Sequence, residues 1–383
     1  MADPVKLYPP IQRQLIASLL YLFENQSASS KVINYSFKNN KKWGSRDRKS
    51  FAEAFYSIVR HAGVYFYEIK KDDFNQITED DAAEIVELYM EGFDIKPEVE
   101  RMAYSVSKDL EETLKNEMDD KQRLEFLKAS MNTASVFLRV NLNLISDEEC
   151  LKTLKAEELD VELIKPGCIE LKERKNIFSS PSFKSGFFEV QDGASQDVAY
   201  FMQLEKGMRV ADSCAGAGGK TLHMSSLMQN SGTIVAMDIF PRRLEELKKR
   251  AKRARSQNIE IKPIEGTKTV KRMVGKFDRL LLDVPCTGSG TYRRKPESKL
   301  FFSKGEHERL LAIQEEVLEL HSKLVKEGGK MVYATCSVFP SENIKQVEKF
   351  LAKHSEFELE EEVSNFVGQD GFDGFYMARM KRK

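Results

Sequence analysis

Cysteine is scarce in this chain, and what there is does not pair. Cys150, Cys168, Cys214, Cys286 and Cys336 are odd in number, widely spread and without a C-x-x-C spacing. That pattern argues against a disulfide framework or a zinc site. Histidine is as sparse: His61, His223, His307, His321 and His354 show no ligand spacing, so no metal is expected. An excess of charge of one sign is missing too. Sixty basic residues face sixty acidic ones, so any affinity for nucleic acid has to come from local clusters. No apolar run is long enough to span a bilayer, and Met1-Ala2-Asp3-Pro4 does not read as a signal peptide. Neither an internal repeat nor a long low-complexity segment is present. These absences predict a cytoplasmic protein with reduced thiols and no membrane partner.

What is present divides into three regions. Residues 1–125 read as helical, with apolar residues at helical spacing over Ile11 to Phe23, Phe51 to Tyr67 and Ala82 to Phe93. Asp80 and Asp81 are placed to cap the third helix. Lys38 to Lys49 is basic around Trp43, and reads equally as a solvated loop or an RNA contact. Residues 126–200 predict a small mixed α/β unit. Strands are expected at Ser135 to Asn141, Ile169 to Leu171 and Gly186 to Val190, with a helix between Asp147 and Ala156.

Residues 201–383 alternate strand and helix patterns, which predicts a parallel sheet covered on both faces. The strands fall at Arg209 to Ala211, Thr233 to Met237, Ile259 to Ile264, Leu280 to Leu282 and Met331 to Tyr333. Helices are expected at Lys220 to Met228, Pro241 to Arg255, Lys304 to Lys326 and Glu342 to His354, and an edge strand at Gly374 to Lys381.

The chemistry collects where these strands end. Leu280-Leu281-Leu282-Asp283-Val284-Pro285-Cys286 and Tyr333-Ala334-Thr335-Cys336-Ser337 are both hydrophobic runs that break into a polar loop carrying a thiol. Such exits line the ligand crevice of a parallel α/β sheet. The first strand runs into Asp212-Ser213-Cys214-Ala215-Gly216-Ala217-Gly218-Gly219-Lys220-Thr221. Glycines there let a ligand approach the backbone, and the following helix offers free N–H groups. Asp238 ends the second strand twenty residues after Gly218, where an acid accepts ribose hydroxyls. A nucleoside-bearing cofactor follows. Gly218-Gly219-Lys220-Thr221 also approaches a phosphate-binding loop, so an ATP-dependent RNA-binding protein is the alternative. That motif needs glycine at position 214, which is Cys214. Neither ATP nor nicotinamide chemistry accounts for two thiols. Asp212, Asp238 and Asp283 around a glycine loop favour S-adenosylmethionine.

Two thiols and an acid suit methylation of an electron-poor ring. Cytosine C5 is a poor nucleophile until a thiolate adds to C6; afterwards a base has to remove the C5 proton so that the thiol can leave. The nucleotide has to be unstacked, and the thiolate needs a lowered pKa.

Residues 201–383 resemble the RNA 5-methylcytosine methyltransferases of the Nol/Nop/Sun family. The resemblance rests on the glycine loop, Asp238, Asp283 to Gly290, Arg293-Arg294-Lys295-Pro296, Thr335-Cys336-Ser337 and Gln191 to Gln196. It implies a seven-stranded class I, Rossmann-like methyltransferase sheet. It also implies that Cys336 attacks and Cys286 assists release, with Asp283 beside them. The implied S-adenosylmethionine site comprises Asp212, Cys214, Ala215, Gly216, Gly218, Gly219, Lys220, Asp238, Arg243, Glu265, Gly266, Thr267 and Asp283. Arg293, Arg294 and Lys295 are the implied RNA contacts. Upstream, Val136 to Asn141 is similar to the start of an RNA-recognition-like subdomain. Trp43 to Arg48 and Ala54 to Arg60 are similar to a helical antitermination-factor-like domain. Together they imply a monomer acting on small-subunit ribosomal RNA. The sequence departs from the family twice: Ala217 stands where proline is usual, and Glu265-Gly266-Thr267 where an aspartate usually holds the adenine amine.

Plainer readings stand beside these. A lone cysteine at a strand end is usually a small buried hydrophobe, the default for Cys150, Cys168 and Cys214. Lys220 is otherwise a solvated helix-start residue, Asp212 a helix cap and Asp238 a solvated strand end. The run Lys248 to Arg255 reads equally as a solvated face or an RNA contact. An RNA-binding assembly factor that keeps the fold without activity is the non-enzymatic alternative; retention of both thiols argues against it.

Overall fold

The computed structural model describes residues 5–92 and 96–383, so Met1 to Pro4 and Phe93 to Ile95, including the end expected for the third helix, lie outside the described residues. The chain forms two compact units, residues up to 133 with 291–307, and residues 134–290 with 308–383.

The first unit is helical. Its core gathers Leu15, Leu19 and Leu22 of helix Pro9–Asn25 with Phe51 and Phe55 of helix Ser45–Arg60, all without exposed surface. The later segment belongs here because Leu300 joins that core and Glu297 accepts from the Ser29 amide and hydroxyl at 3.0 and 2.7 Å. The single helix expected over Phe51 to Tyr67 is two, Ser45–Arg60 and Ala62–Glu68, with a break at His61. Just past the break the backbone packs closely: a Cβ on Gly63 would lie 2.2 Å from the Met102 carbonyl oxygen. The expected cap of the next helix also shifts. Thr78 caps Glu79–Glu91, and Asp81 closes the capping box as its third helical residue.

The second unit holds two sheets. The smaller contains β1 Val136–Val140, β2 Val161–Lys165, β3 Cys168–Leu171 and β4 Phe188–Val190, in the antiparallel order β2-β3-β1-β4. The larger contains β5 Arg209–Asp212, β6 Thr233–Asp238, β7 Ile259–Pro263, β8 Phe277–Asp283, β9 Val325–Thr335, β10 Phe357–Asn365 and β11 Phe375–Arg382. Its order is β10-β11-β9-β8-β5-β6-β7. The five strands from β7 to β9 run parallel, and β11 alone is reversed, pairing antiparallel with β9 on one side and with β10 on the other. Apolar runs such as Leu280-Leu281-Leu282, with no exposed surface, fit strands buried on both faces.

Three expectations are corrected. The sheet is mixed rather than parallel throughout, and β11 is not its edge, because β10 lies outside it. Helix Lys304–His321 stops short of Lys326, since Val325 already pairs with Phe277 as the start of β9. The order reverses at β5, which pairs with β6 on one side and β8 on the other. Ligands bind at such a switch point, beyond the carboxyl ends of the strands.

Candidate active site

At that switch point lies a cavity of about 430 Å³ whose walls include the glycine loop, Asp238 and Asp283. Asp212 ends β5 and is 1% exposed. Burial, reinforced by the Asp283 charge, pushes its carboxyl up to about 7 against the Thr221 hydroxyl, which donates to Oδ2 at 2.6 Å. Asp212 Oδ1 has no partner among the described residues. An unpaired buried oxygen in a cavity wall fits a donor from a ligand.

The glycines differ in their work. Gly216 takes φ +54° and donates to Asp238 Oδ2 at 2.8 Å. A Cβ on Gly216 or Gly219 would meet no atom within 4 Å, and both line the cavity, so their bareness keeps space for a ligand. Gly218, at φ +86°, packs so closely that a Cβ would lie 2.4 Å from Leu247 Cγ. Ala215 and Cys214 line the same wall, and burial followed by the Asp212 charge holds the Cys214 thiol well above its ordinary value.

Asp238, 5% exposed, accepts from the Gly216 and Phe240 amides at 2.8 Å each. Its fixed carboxylate faces the cavity beside Arg243, whose guanidinium lies 4.5 Å over the Phe240 ring. Glu265, Gly266 and Thr267 are not brought in: all three are exposed, and Ile264 lines the wall instead.

The two thiols meet. Cys286 Sγ and Cys336 Sγ stand 3.5 Å apart, although fifty residues separate them. The Cys336 thiol and burial hold Cys286 well above an ordinary thiol value. Several bonds fix the two loops together. The Gly290 amide donates to the Cys336 carbonyl at 3.0 Å, and the Ser289 and Ser337 hydroxyls lie 2.9 Å apart. Fully buried Glu342 accepts from the Thr287 amide and hydroxyl. Beside the cavity, Lys220 Nζ donates to Asp283 Oδ2 at 2.7 Å. Burial alone would lower the Lys220 pKa; Asp283 outweighs it, Cys336 adds to the same effect, and the ammonium is held above its ordinary range.

The expected RNA residues lie in the helical unit and differ in exposure: Arg293 is buried, Arg294 half-buried and Lys295 exposed. Of the plain cysteines, Cys150 and Cys168 have no exposed surface, and burial pushes both thiols up to about 12.

Several site residues carry no motif. His321 lines the cavity with its Nδ1 2.6 Å from Ser213 Oγ, and burial pushes its pKa down to about 4, so the ring is neutral. Ile239 and Phe240, 62% and 50% exposed, line the cavity where sequence reading passed over them. Exposed apolar residues directly after an acidic strand end were the available cue. Glu342 gave only the cue of an acid six residues after Cys336. Among the described residues no acid, cysteine and histidine cluster could hold a metal, and no helix is long and apolar enough to cross a membrane.

Residues 199–381 match the family described as 16S rRNA methyltransferase RsmB/F. A probable ribosomal RNA small subunit methyltransferase B of Coxiella burnetii is 33% identical over 255 residues, covering 62% of this chain and 59% of that protein. The chain thus spans about three fifths of the length of the curated relatives it matches. The crystal structure of PH0851 aligns with a TM-score of 0.82 at 23% identity, over 99% of this chain and 100% of that one. A methyltransferase homologue from Pyrococcus horikoshii gives 0.66 at 23% identity, over 74% and 98%. These structural likenesses establish the class I methyltransferase fold. The phosphate-loop alternative falls with them, and Lys220 is committed to Asp283 rather than free for a phosphate. Over residues 199–381, this chain is therefore similar to the RsmB/F family of 16S rRNA methyltransferases.

Proposed function

We propose that the protein is an S-adenosylmethionine-dependent RNA cytosine-C5 methyltransferase that acts as a monomer on small-subunit ribosomal RNA. The observation that carries this reading is the 3.5 Å approach of Cys286 and Cys336 next to a cavity built for a nucleoside. The residues present fit the cofactor: Asp212 Oδ1 is unpaired, Gly216 and Gly219 leave open space, and Asp238 presents a fixed carboxylate. In this reading Asp238 takes the ribose hydroxyls, Asp212 the amino-acid end, and Ile239 and Phe240 the base. When bound, the cofactor would supply an electrophilic methyl group.

The chain's own residues then divide the work. Cys336 adds as thiolate to C6, forming the S–C6 bond and moving electron density toward C5. The Lys220 ammonium favours a negative Cys336, since their attraction acts on both partners. Asp283 faces N3 and relays a proton to it from Lys220, its partner at 2.7 Å, so that negative charge does not build up on the ring. Cys286 serves the second half: its raised pKa makes its thiolate the stronger base, so once C5 is methylated Cys286, its own proton lost to solvent, accepts the C5 proton, the S–C6 bond breaks and the Cys336 thiolate returns. The helical unit and the four-stranded sheet are assigned to holding RNA. Bisulfite sequencing of ribosomal RNA from a deletion strain tests the reading. One small-subunit cytosine should lose methylation and regain it with the wild-type gene but not with Cys336→Ala. Full methylation in the deletion strain would leave the inactive assembly factor as the better account.

A further inference from the structure

The glycine loop has little of its own to hold it. Gly216 and Gly218 both sit at positive φ, and position 217, where a proline would stiffen the turn, is alanine. A loop so free loses conformational entropy each time it is ordered around a ligand. Two arginines reach it from different elements. Arg250, on helix Pro241–Arg253, donates from Nη1 to the Ala217 carbonyl at 2.9 Å. Arg139, on β1 and 2% exposed, donates to the Gly219 carbonyl and to Gln191 Oε1. Both lie by one acid, Glu189, which Arg250 pairs directly and which stands opposite Arg139 across the β1–β4 ladder. Glu189 of β4 is 4% exposed and accepts from Arg250 Nη2 at 2.9 Å and Nε at 3.3 Å, with Arg253 on its other oxygen. Burial pushes Arg139 down to about 10, and Glu189 is the first charge opposing that fall, so Arg139 remains a cation.

We infer that Glu189, Arg250 and Arg139 form a clamp that holds the glycine loop in its ligand-ready shape, so that strands of the small sheet set cofactor affinity in the large one. They are positioning residues: Arg250 acts through the Ala217 carbonyl and Arg139 through that of Gly219. The clamp also divides the basic run Lys248 to Arg255. Arg250 and Arg253 are spent on Glu189, while Lys248, Lys249 and Lys252 stay exposed. The inference goes beyond the proposed activity and rests on it only in naming the ligand.

Hydrogen exchange of the ligand-free full chain tests the clamp without any cofactor. The Gly216 and Gly218 amides are bonded to Asp238 and to the Ala215 carbonyl, so their protection reports the shape of the loop. Arg250→Lys keeps a cation opposite buried Glu189 but loses the two-headed geometry. In R250K, exchange over residues 213–221 should quicken at least tenfold, with the thermal midpoint within a degree or two of wild type. S-adenosylhomocysteine should bind about tenfold more weakly by calorimetry. Ala217 is not at positive φ, and its amide donates no hydrogen bond among the described residues, so Ala217→Pro fits; adding it to R250K should recover two- to fivefold of both. Unchanged exchange at the loop in R250K, or no recovery on adding A217P, would overturn the clamp. Failure of wild-type protein to bind S-adenosylhomocysteine would instead overturn the cofactor assignment, with the clamp still decided by exchange.

Discussion

Glu342 and Thr287 are joined twice, amide to Oε1 at 2.9 Å and hydroxyl to Oε2 at 2.6 Å, with the carboxylate wholly buried. This pair ties the loop after Cys286 to the segment after Cys336. Gln314 strengthens the tie by donating to both Glu342 Oε1 and the Pro285 carbonyl, each at 3.0 Å. Removing the acid strands three donor N–H and O–H groups, two on half-buried Thr287 and one on fully buried Gln314. Glu342→Ala should therefore destabilise the α/β unit by about 3 kcal/mol, on the scale of lost bonds to a charged group. Urea unfolding measures this; a midpoint equal to wild type would mean the tie contributes nothing.

The ribose assignment predicts that Asp238→Ala weakens S-adenosylhomocysteine binding by about 1.5–3 kcal/mol, the value of a charge-assisted hydrogen bond. Calorimetry reads the change directly. Unaltered affinity would remove Asp238 from the cofactor site.

Asp212 gives the binding a pH dependence with a definite sign. Its carboxyl is pushed up to about 7, chiefly by burial, so below that pH it is protonated. A cationic amine on the ligand favours the carboxylate, and binding expels the proton. Affinity should rise as pH rises to about 7 and then level off, and Asp212→Asn should flatten that rise. A wild-type affinity that is constant from pH 6 to 8 would contradict the contact.

Among the proposed RNA residues, exposure selects Lys295. Lys295→Ala should weaken RNA binding and lower the slope of log affinity against log salt by about 0.7, one single-strand phosphate contact. Buried Arg293→Ala should act through stability instead. An unchanged slope for Lys295→Ala would leave the helical unit without its assigned contact.

The parallel strands and the glycine loop were legible in the sequence because their residues answer to local rules. Leu280-Leu281-Leu282 is apolar since both faces are covered, and Gly216 and Gly218 are glycine since both take positive φ. β10 was not legible. No element is expected there from sequence, because Glu358, Glu360, Glu361 and Glu362 interrupt any apolar alternation; pairing of Glu360 with Lys330 and of Glu360 and Glu361 with Arg379 belongs to a charged edge strand. The proximity of Cys286 and Cys336 was legible from two similar strand exits. Glu342 and the Ser213–His321 contact were not, because each depends on which distant loop folds back.

In the proposed mechanism, charge at the reacting ring depends on Lys220 and Asp283. Lys220→Met removes the cation that favours a negative Cys336 and the partner of Asp283. Both Lys220→Met and Asp283→Ala should slow formation of the enzyme–RNA adduct at least tenfold, measured by quenching into denaturant. Normal adduct rates in both would place the electrostatic support elsewhere.

The central claim is the division of labour between two thiols 3.5 Å apart. Incubate Cys286→Ala and Cys336→Ala separately with RNA and S-adenosylmethionine, then resolve them on a denaturing gel. Cys286→Ala should attack and methylate but fail to release, and so accumulate a slow-migrating protein–RNA band. Cys336→Ala should form none. A band from Cys336→Ala instead would exchange the two roles, and no band from either folded variant would contradict the covalent mechanism.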